Sequence, residues 1–348
     1  MHKPKLKTPP KPLFAYLDLD SVLFKAAQAG QKIRYKAVDQ RGKVVAEFGS
    51  AHEYKNWKES IEFLGGDFEF GFTGDVDSLT REVEYKIGNV EDCYKAFDHI
   101  VNDWVEASGC EDWVGYVSKA TGQKNFRYSV ATLKGYKSSA SRDAVKPHYL
   151  EDVRKYANQN PKIKTARGSV EVDDVTCALA QKKGWRGCVL SVDKDASGCQ
   201  NTHIFNPDVM DEPVFSSNKI VGRLWQNEKG KVVGLGTLFW LFQCVYGDSV
   251  DSIPGCKGVG EKGAYNLLKE FDGVDVKYLP EVVDVVCEAF KSSYGDEYEY
   301  EHCTTGEIVT ASWKDLAMEM SRLVYMKKNQ NDDCFWLDLI EKSYEEFK

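Results

Sequence analysis

No apolar run in this 348-residue chain approaches the roughly 20 residues that a membrane-spanning helix needs. The first twelve residues, Met1 to Pro12, lack the apolar stretch of a secretory signal; Lys and Pro dominate them, and they read as a flexible basic tail. The ten cysteines include no Cys-x-x-Cys pair, and no spacing with the six histidines suggests a zinc site. A chain of this size does not depend on disulfide staples, so the cysteines read as reduced, mostly buried thiols. Internal repeats and low-complexity tracts are also missing. What is present is a 42% hydrophobic sequence, enough to bury a core in one large domain or two smaller ones.

Positive charge is in deficit too. Lys and Arg number 46 against 54 Asp and Glu, a net charge of −8 that argues at first against a polyanionic partner. The distribution reverses that reading. Glu270 to Lys348 holds 19 acids and 8 bases, so the rest of the chain carries +3. Within it, Lys119 to Lys155 has nine Lys/Arg against three acids. Charge steers a nucleic acid within about a Debye length, so a basic segment outweighs the sum. The plain alternative is a solvated surface face. The acidic C-terminal part reads as a solvated helical cap over the core.

Leu13 to Asp18 has the pattern of a buried strand, followed by a helix from about Ser21. Ile33 to Phe48 predicts a hairpin around Asp39-Gln40-Arg41-Gly42. Glu53 to Leu64 predicts a helix, and Tyr54 to Gly88 is otherwise left unassigned. Asp92 to Ala107 carries Phe97, Ile100, Val101, Trp104 and Val105 at helical spacing. Short strands are predicted at Trp113 to Val117, Ile163 to Ala166, Cys188 to Val192 and His203 to Phe205. Helices at His148 to Asn158 and Asp173 to Lys183 alternate with them, and Gln123 to Ser141 reads as a loop. This alternation predicts an α/β fold, a mostly parallel sheet flanked by helices. After Gly236 the pattern turns helical, with Thr237 to Val245 and Gly263 to Phe271 first. The expected division is a tail over 1–12, a core over 13–235 and a helical region over 236–348.

Acidic pairs fall where an α/β sheet presents its ligands, at or beyond the carboxyl ends of strands. Asp18 and Asp20 end the first strand and, two apart in extended chain, should share a face. Glu171, Asp173 and Asp174 open a helix. Asp193 and Asp195 follow the Cys188 to Val192 strand, and Asp248 and Asp251 would face one way if helical spacing persisted. Any one pair is explained by helix capping. All of them together repel, and hard divalent cations with oxygen ligands, Mg²⁺ or Mn²⁺, resolve the repulsion. Two such ions about 4 Å apart hold a phosphodiester, activate a water and stabilise the leaving oxygen.

The stretch Gly247 to Phe271 is the most specific in the chain. Pro254 and Gly255 enforce a turn, and Gly258 and Gly260 permit positive φ and close backbone approach. A helix from about Glu261 then offers free N–H groups to a phosphate, flanked by Lys257 and Lys262.

Glu171-Val-Asp-Asp174, Ser191-Val-Asp-Lys-Asp195 and Gly247-Asp-Ser-Val-Asp-Ser-Ile-Pro-Gly255 resemble, in order and spacing, the motifs of bacteriophage 5′→3′ exonucleases and flap endonucleases. The resemblance covers about Leu13 to Asp20 and Trp113 to Phe271. It implies a PIN-like core with a helix–three-turn–helix element at 251–271 that grips duplex DNA, with a K⁺ at Gly255, Gly258 and Gly260. It implies one metal at Asp18, Glu171, Asp173 and Asp193, and a second at Asp195, Asp248 and Asp251, with Asp174 and Asp195 placed to be shared. Asn125-Phe-Arg-Tyr, Gly135-Tyr-Lys137 and Arg142 resemble the family's gateway, over 119–147 here. By that likeness Tyr128 and Tyr136 stack on bases, and Lys137 and Arg142 meet phosphates. Lys134 and Arg127 neutralise the scissile phosphate. The implied activity is metal-dependent hydrolysis of DNA near 5′ ends or flaps, RNA–DNA primers included, in phage replication or recombination. The implied setting is the bacterial host cytoplasm, away from membranes.

Three departures stand out. Ser118 occupies the position where the family usually has an Asp at the end of the second strand, and no nearby acid replaces it, since Asp112 lies at the other end of that strand; Asp20, next to the first ligand, is the candidate to compensate. Lys137 to Arg142 contains extra Ser and Ala residues, and Gly30 to Asp92 has no counterpart. The first departure leaves a second reading, a catalytically impaired structure-specific DNA-binding protein of the same fold. A PIN-type ribonuclease is a third, opposed by the duplex-gripping turn.

Overall fold

The computed structural model describes residues 1–64, 76–119, 125–138, 146–167 and 170–328. In chain order it begins β1 (Phe14–Asp18), α1 (Asp20–Gln28), β2 (Gln31–Val38), β3 (Val44–Phe48), α2 (Ala51–Leu64), β4 (Thr80–Ile87) and α3 (Val90–Ser108). It continues with β5 (Asp112–Val117), α4 (Arg127–Val130), α5 (Leu150–Ala157), β6 (Ile163–Thr165), α6 (Val172–Lys183), β7 (Gly187–Leu190), β8 (Thr202–Phe205) and β9 (Val214–Ser216). The remainder is β10 (Arg223–Gln226), β11 (Val232–Leu235), α7 (Gly236–Tyr246), α8 (Glu261–Leu268), α9 (Leu279–Tyr294), β12 (Tyr298–Glu301), β13 (Ile308–Ala311) and α10 (Trp313–Leu323). Among the described residues no helix is long and apolar enough to cross a membrane.

Two compact units divide the chain. One comprises Met1–Val22, Val101–Val145 and Ala157–Lys348; the other comprises Leu23–Ile100 and Lys146–Tyr156. The first is built on a six-stranded sheet in the order β6-β5-β1-β7-β8-β9, parallel except for β9 at one edge. β1 and β7 read as unbroken apolar runs because they lie inside the sheet with both faces covered. The chain runs outward from β1 through β5 to β6, then returns to the other side of β1 as β7. The strand order therefore reverses between β1 and β7, where the carboxyl ends of an open parallel sheet leave a crevice for ligands.

A second core in this unit lies around α7, which is buried along ten of its eleven residues. Packed with it are Ala264 and Leu268 of α8, Val282, Val286 and Phe290 of α9, Leu316 and Met320 of α10, and Ala131 and Tyr136. This core crosses the expected boundary at 235/236. The acidic C-terminal part is also not wholly helical, because β12 and β13 form a hairpin in it. Part of the expected flexible tail is bonded: the His2 carbonyl accepts from the Asp275 N–H, and Lys3 pairs with Asp272 at 3.8 Å.

The other unit explains the stretch that matched nothing. β2 and β3 form the expected hairpin, with Asp39 Oδ1 accepting from the Arg41 and Lys43 N–H groups in its turn. β4 adds antiparallel to the other edge of β2, and the apolar cluster Ala37, Ala46, Tyr54 and Leu79 joins α2 to this sheet.

Candidate active site

β1 ends on Asp18, which is 9% exposed. Ser191 Oγ donates to its Oδ2 at 3.2 Å, and the Asp20 N–H donates to its Oδ1 at 3.1 Å. Asp20 is not extended as expected: it is the first residue of α1. Its own Oδ1 accepts from the Ser118 N–H at 2.9 Å. An aspartate carboxylate thus lies against the end of β5, where Ser118 brings none.

Glu171 caps α6 in a reciprocal capping box with Asp174, so the helix start fixes this acidic group. Asp193 caps the short turn after β7 by accepting from the Asp195 N–H at 2.9 Å. Asp248 and Asp251 do converge, through a tight turn rather than a helix. Asp248 and Ile253 exchange backbone hydrogen bonds, and Asp248 Oδ1 accepts from the Val250 N–H. Ser252 closes the turn at φ 64°.

Asp195, Asp248 and Asp251 each bring one carboxylate oxygen within 4.8 Å of the others. Lys194 Nζ lies 2.9 Å from Asp195 and 2.5 Å from Asp248, a side-chain ammonium at the place where a cation is wanted. Tyr136 joins this group to the α6 acids: its hydroxyl lies 3.1 Å from Glu171 Oε2 and 3.0 Å from Asp251 Oδ2. Lys137 donates to Glu171 Oε1 at 2.6 Å.

The electrostatics mark the site as short of positive charge. Burial, then the Asp20 charge, pushes the Asp18 carboxyl up to about 7. Loss of hydration, then Asp195, pushes Asp193 up to about 7. Burial and the neighbouring Glu171 hold Asp173 well above the carboxylate range, and burial raises Asp251. Lys137 is raised too, for the opposite reason: burial works to lower it, but the Glu171 and Asp251 charges outweigh burial and hold it up. Gln243 donates to Asp195 through Nε2, while its buried Oε1 has no hydrogen-bond partner. Oxygen donors, crowded carboxylates and an orphaned carbonyl fit a hard divalent cation. Among the described residues, Asp195, Asp248 and Asp251 are the ones best placed to hold one.

Other predicted residues are placed differently. Arg127, read as a phosphate contact, is 1% exposed. Its guanidinium makes a two-pronged bond to Asp174 at 2.8 and 3.0 Å, and donates to the Leu323 and Tyr325 carbonyls at 2.9 Å each. All of its hydrogen-bonding directions point inward, so it orders the site instead of facing a substrate. Asp174, read as a shared metal ligand, accepts that fork and the Lys327 N–H as well; it anchors α6. Tyr136, read as a base-stacking ring, is 4% exposed and sits edge-on to Tyr128. Tyr128, Lys134, Lys257 and Lys262 are exposed. Arg142 lies outside the described residues.

In the glycine turn, Gly258 has φ +79° with open space around it. Gly260 needs no positive φ; it is an extended N-cap at φ −79° opening α8. Gly255, at φ +64°, packs so closely that a Cβ would meet Gly247 N at 2.5 Å and Val245 O at 2.6 Å. Its carbonyl accepts from the Tyr294 hydroxyl at 2.5 Å, so one face of the expected K⁺ ligand is already occupied. Gly255→Ala should therefore lower the melting temperature by several degrees, whereas Gly260→Ala should leave it within about 1–2 °C. Equal melting temperatures for the two variants would contradict this packing.

Lys194, Gln243 and Glu319 carry parts of the site that the sequence did not mark. Lys194 was visible inside Asp-Lys-Asp but had no assigned role. Glu319 of α10 is 7% exposed and accepts from the Thr132 and Leu133 N–H groups at 2.8 and 3.0 Å. It pins the turn that leads to Lys134, Tyr136 and Lys137, and no local pattern announces it.

Several curated proteins share sequence with the chain. A 5′-3′ exonuclease of Aquifex aeolicus is 33% identical over 110 residues, 30% of this chain and 35% of that protein. It is homologous to that exonuclease. DNA polymerase I of Deinococcus radiodurans is 26% identical over 160 residues, 44% of this chain and 16% of that one. The thermostable DNA polymerase I of Thermus aquaticus is 31% identical over 111 residues, 30% and 12% respectively. The exonuclease homologue thus spans about a third of its Aquifex relative. No family model matches the chain. Among solved structures, the bacteriophage T5 D15 flap endonuclease in complex with DNA and metal ions aligns with a TM-score of 0.43 at 14% identity, covering 73% of this chain and 89% of that one.

Proposed function

We propose that this chain is a divalent-metal-dependent 5′→3′ exonuclease and flap endonuclease that hydrolyses DNA near 5′ ends, acting in phage replication or recombination in the host cytoplasm. The observation that carries this reading is the meeting of Asp195, Asp248 and Asp251 within 4.8 Å, joined through the Tyr136 hydroxyl to Glu171 at the start of α6. Homology to the Aquifex exonuclease supports the reaction class.

Two Mg²⁺ or Mn²⁺ ions are the proposed cofactors, one at Asp195, Asp248 and Asp251, the other at Asp18, Glu171, Asp173 and Asp193. When bound, such ions polarise a phosphodiester and lower the pKa of a water. The chain's own groups do the rest. Asp20 supplies negative charge at the end of β5 in place of Ser118. Tyr136 bridges Glu171 and Asp251 and keeps the two carboxylate groups in register. Lys134, exposed on the turn that Glu319 pins, meets the charge of the scissile phosphate, and Tyr128 offers an exposed ring for a base. Lys257, Lys262, Gly258 and the N–H groups of α8 take duplex phosphates, with K⁺ beside them.

Digestion of 5′-labelled blunt, flapped, RNA-primed and single-stranded substrates tests this directly. Cleavage should require Mg²⁺ or Mn²⁺, vanish in excess EDTA and survive a zinc-selective chelator. Activity that persists in EDTA would sink the metal reading. A second reading, an impaired enzyme that still binds DNA, is favoured by Lys194, whose ammonium already bridges two of the three clustered acids. Tight binding with no cleavage in either metal would select it.

A further inference from the structure

Two kinds of donor meet the carboxylates of the acid cluster. Gln243 is held by packing: it is 2% exposed on α7, and its Nε2 donates to Asp195 Oδ1. Lys194 is held by its charge. Its side chain is 50% exposed, while its ammonium reaches inward to Asp195 Oδ1 at 2.9 Å and Asp248 Oδ2 at 2.5 Å. The turns on either side have their own bonds. The Asp193 N–H donates to Ser191 Oγ and the Asp195 N–H donates to Asp193 Oδ1. Asp248 and Ile253 exchange backbone hydrogen bonds, and Asp248 Oδ1 accepts from the Val250 N–H. Removing the ammonium therefore leaves both turns held.

We infer that Lys194 is a resident counter-ion, which a divalent cation must displace in order to bind Asp195, Asp248 and Asp251. The inference rests on the metal-dependent reading above. It gives Lys194 a different part from the impaired-enzyme reading, in which the ammonium stays where it is. Three features carry it. The first is shared oxygens. An ion bound to Asp195 Oδ1 and Asp248 Oδ2 would stand within about 5 Å of Nζ, where like charges repel strongly despite partial screening. The second is freedom to leave. A flexible four-carbon stem, half in water, can carry the ammonium outward to be rehydrated without moving the backbone. The third is the donor set. An ammonium offers three N–H donors, whereas a hard divalent ion takes about six oxygens. Gln243 Oε1, buried and without a hydrogen-bond partner, is an oxygen beside Asp195 that the ammonium leaves unused. The ammonium thus relieves the repulsion of the carboxylates in the ion-free protein, and the more highly charged ion takes over the same oxygens.

Lys194→Met keeps an unbranched stem and removes the charge. The test titrates the full-length wild type and Lys194→Met with Mn²⁺ in the absence of DNA, reading free Mn²⁺ by electron paramagnetic resonance. Asp251→Asn, made in both backgrounds, identifies the ion that this cluster holds. That ion should bind Lys194→Met about tenfold or more tightly than wild type. In EDTA the same variant should melt several degrees lower, because the carboxylates have lost their counter-charge. A role in shaping the turn alone would lower the melting temperature without tightening the ion. Weaker binding of the ion by Lys194→Met overturns the inference. A second measurement needs no variant. Amine acetylation of the wild type, located by mass spectrometry, should modify Lys194 faster in saturating Mg²⁺, since the ammonium then lies in water. Slower or unchanged modification overturns the inference. If neither protein binds Mn²⁺ at this cluster, the metal reading falls and takes the inference with it. If both bind it equally tightly, the metal reading stands and the inference alone falls.

Discussion

Replacing Arg127 with alanine is expected to lower the unfolding free energy by about 3–5 kcal/mol, because it leaves the Asp174 carboxylate buried without its partner. The side chain is 1% exposed, and it is tied to two carboxylates, Asp174 and Glu171, and to two main-chain carbonyls. Arg127→Lys should recover only part of the loss, since an ammonium keeps the charge but not the planar fork that meets Asp174, Leu323 and Tyr325 together. Urea denaturation followed by fluorescence measures both. A phosphate-contacting arginine behaves in the opposite way: turnover drops while the denaturation midpoint stays. That outcome for Arg127→Ala would return the residue to the role its sequence neighbourhood suggests. Lys134→Ala, in contrast, should leave the midpoint unchanged, lower turnover at saturating DNA, and reduce the salt slope of binding by roughly 0.7–0.9.

Asp173→Asn is expected to cut single-turnover cleavage by about 10³-fold or more, equivalent to some 4 kcal/mol of barrier, while DNA binding in Ca²⁺ persists or tightens. The reason is electrostatic. The carboxyl is buried among Glu171, Asp174 and Asp193, and loss of hydration, then their repulsion, already raises its affinity for protons. Removing one negative charge relieves that repulsion and helps a polyanion approach, but takes away an oxygen ligand for the proposed ion. Paired measurements on the same preparation decide the matter. If binding falls in parallel with cleavage, Asp173 is holding the fold together and not the reaction centre.

Much of this site could be read from the residues, because strands and helix caps are local. An all-apolar run ending in Asp18 announces a central strand with an acid at its carboxyl end, and Glu-x-Asp-Asp announces a helix start. What escaped reading depended on distance. Arg127 stands in a basic, aromatic stretch that looks like a surface for phosphates; its burial follows from carbonyls at 323 and 325, about 200 positions away. Tyr136 was legible as an aromatic beside lysines, but not as a buried hydroxyl linking acids at 171 and 251. Asp20 was read as extended because the strand continues in pattern, while the chain turns into a helix one residue after Leu19. The β2-β3 hairpin was visible from its turn. β4 was not assigned, although Glu82 to Ile87 alternates charged and apolar residues with the period of a half-buried strand.

The hold of the C-terminal segment on Arg127 has a consequence for how the protein is made. Arg127 and the Tyr325 carbonyl that fixes it are 198 positions apart. At a synthesis rate of roughly 5–20 residues per second, one is delivered about 10–40 s after the other. Before it ends the acids at 18, 171–174, 193–195 and 248–251 have all been made, while the arginine that orders α6 still lacks its last two anchors and, until residue 319, the 132–133 turn lacks Glu319. These contacts therefore form only after residues 319–325 have been made, and a ribosome stalled before residue 319 carries a nascent chain with all of these carboxylates but without the contacts that order them.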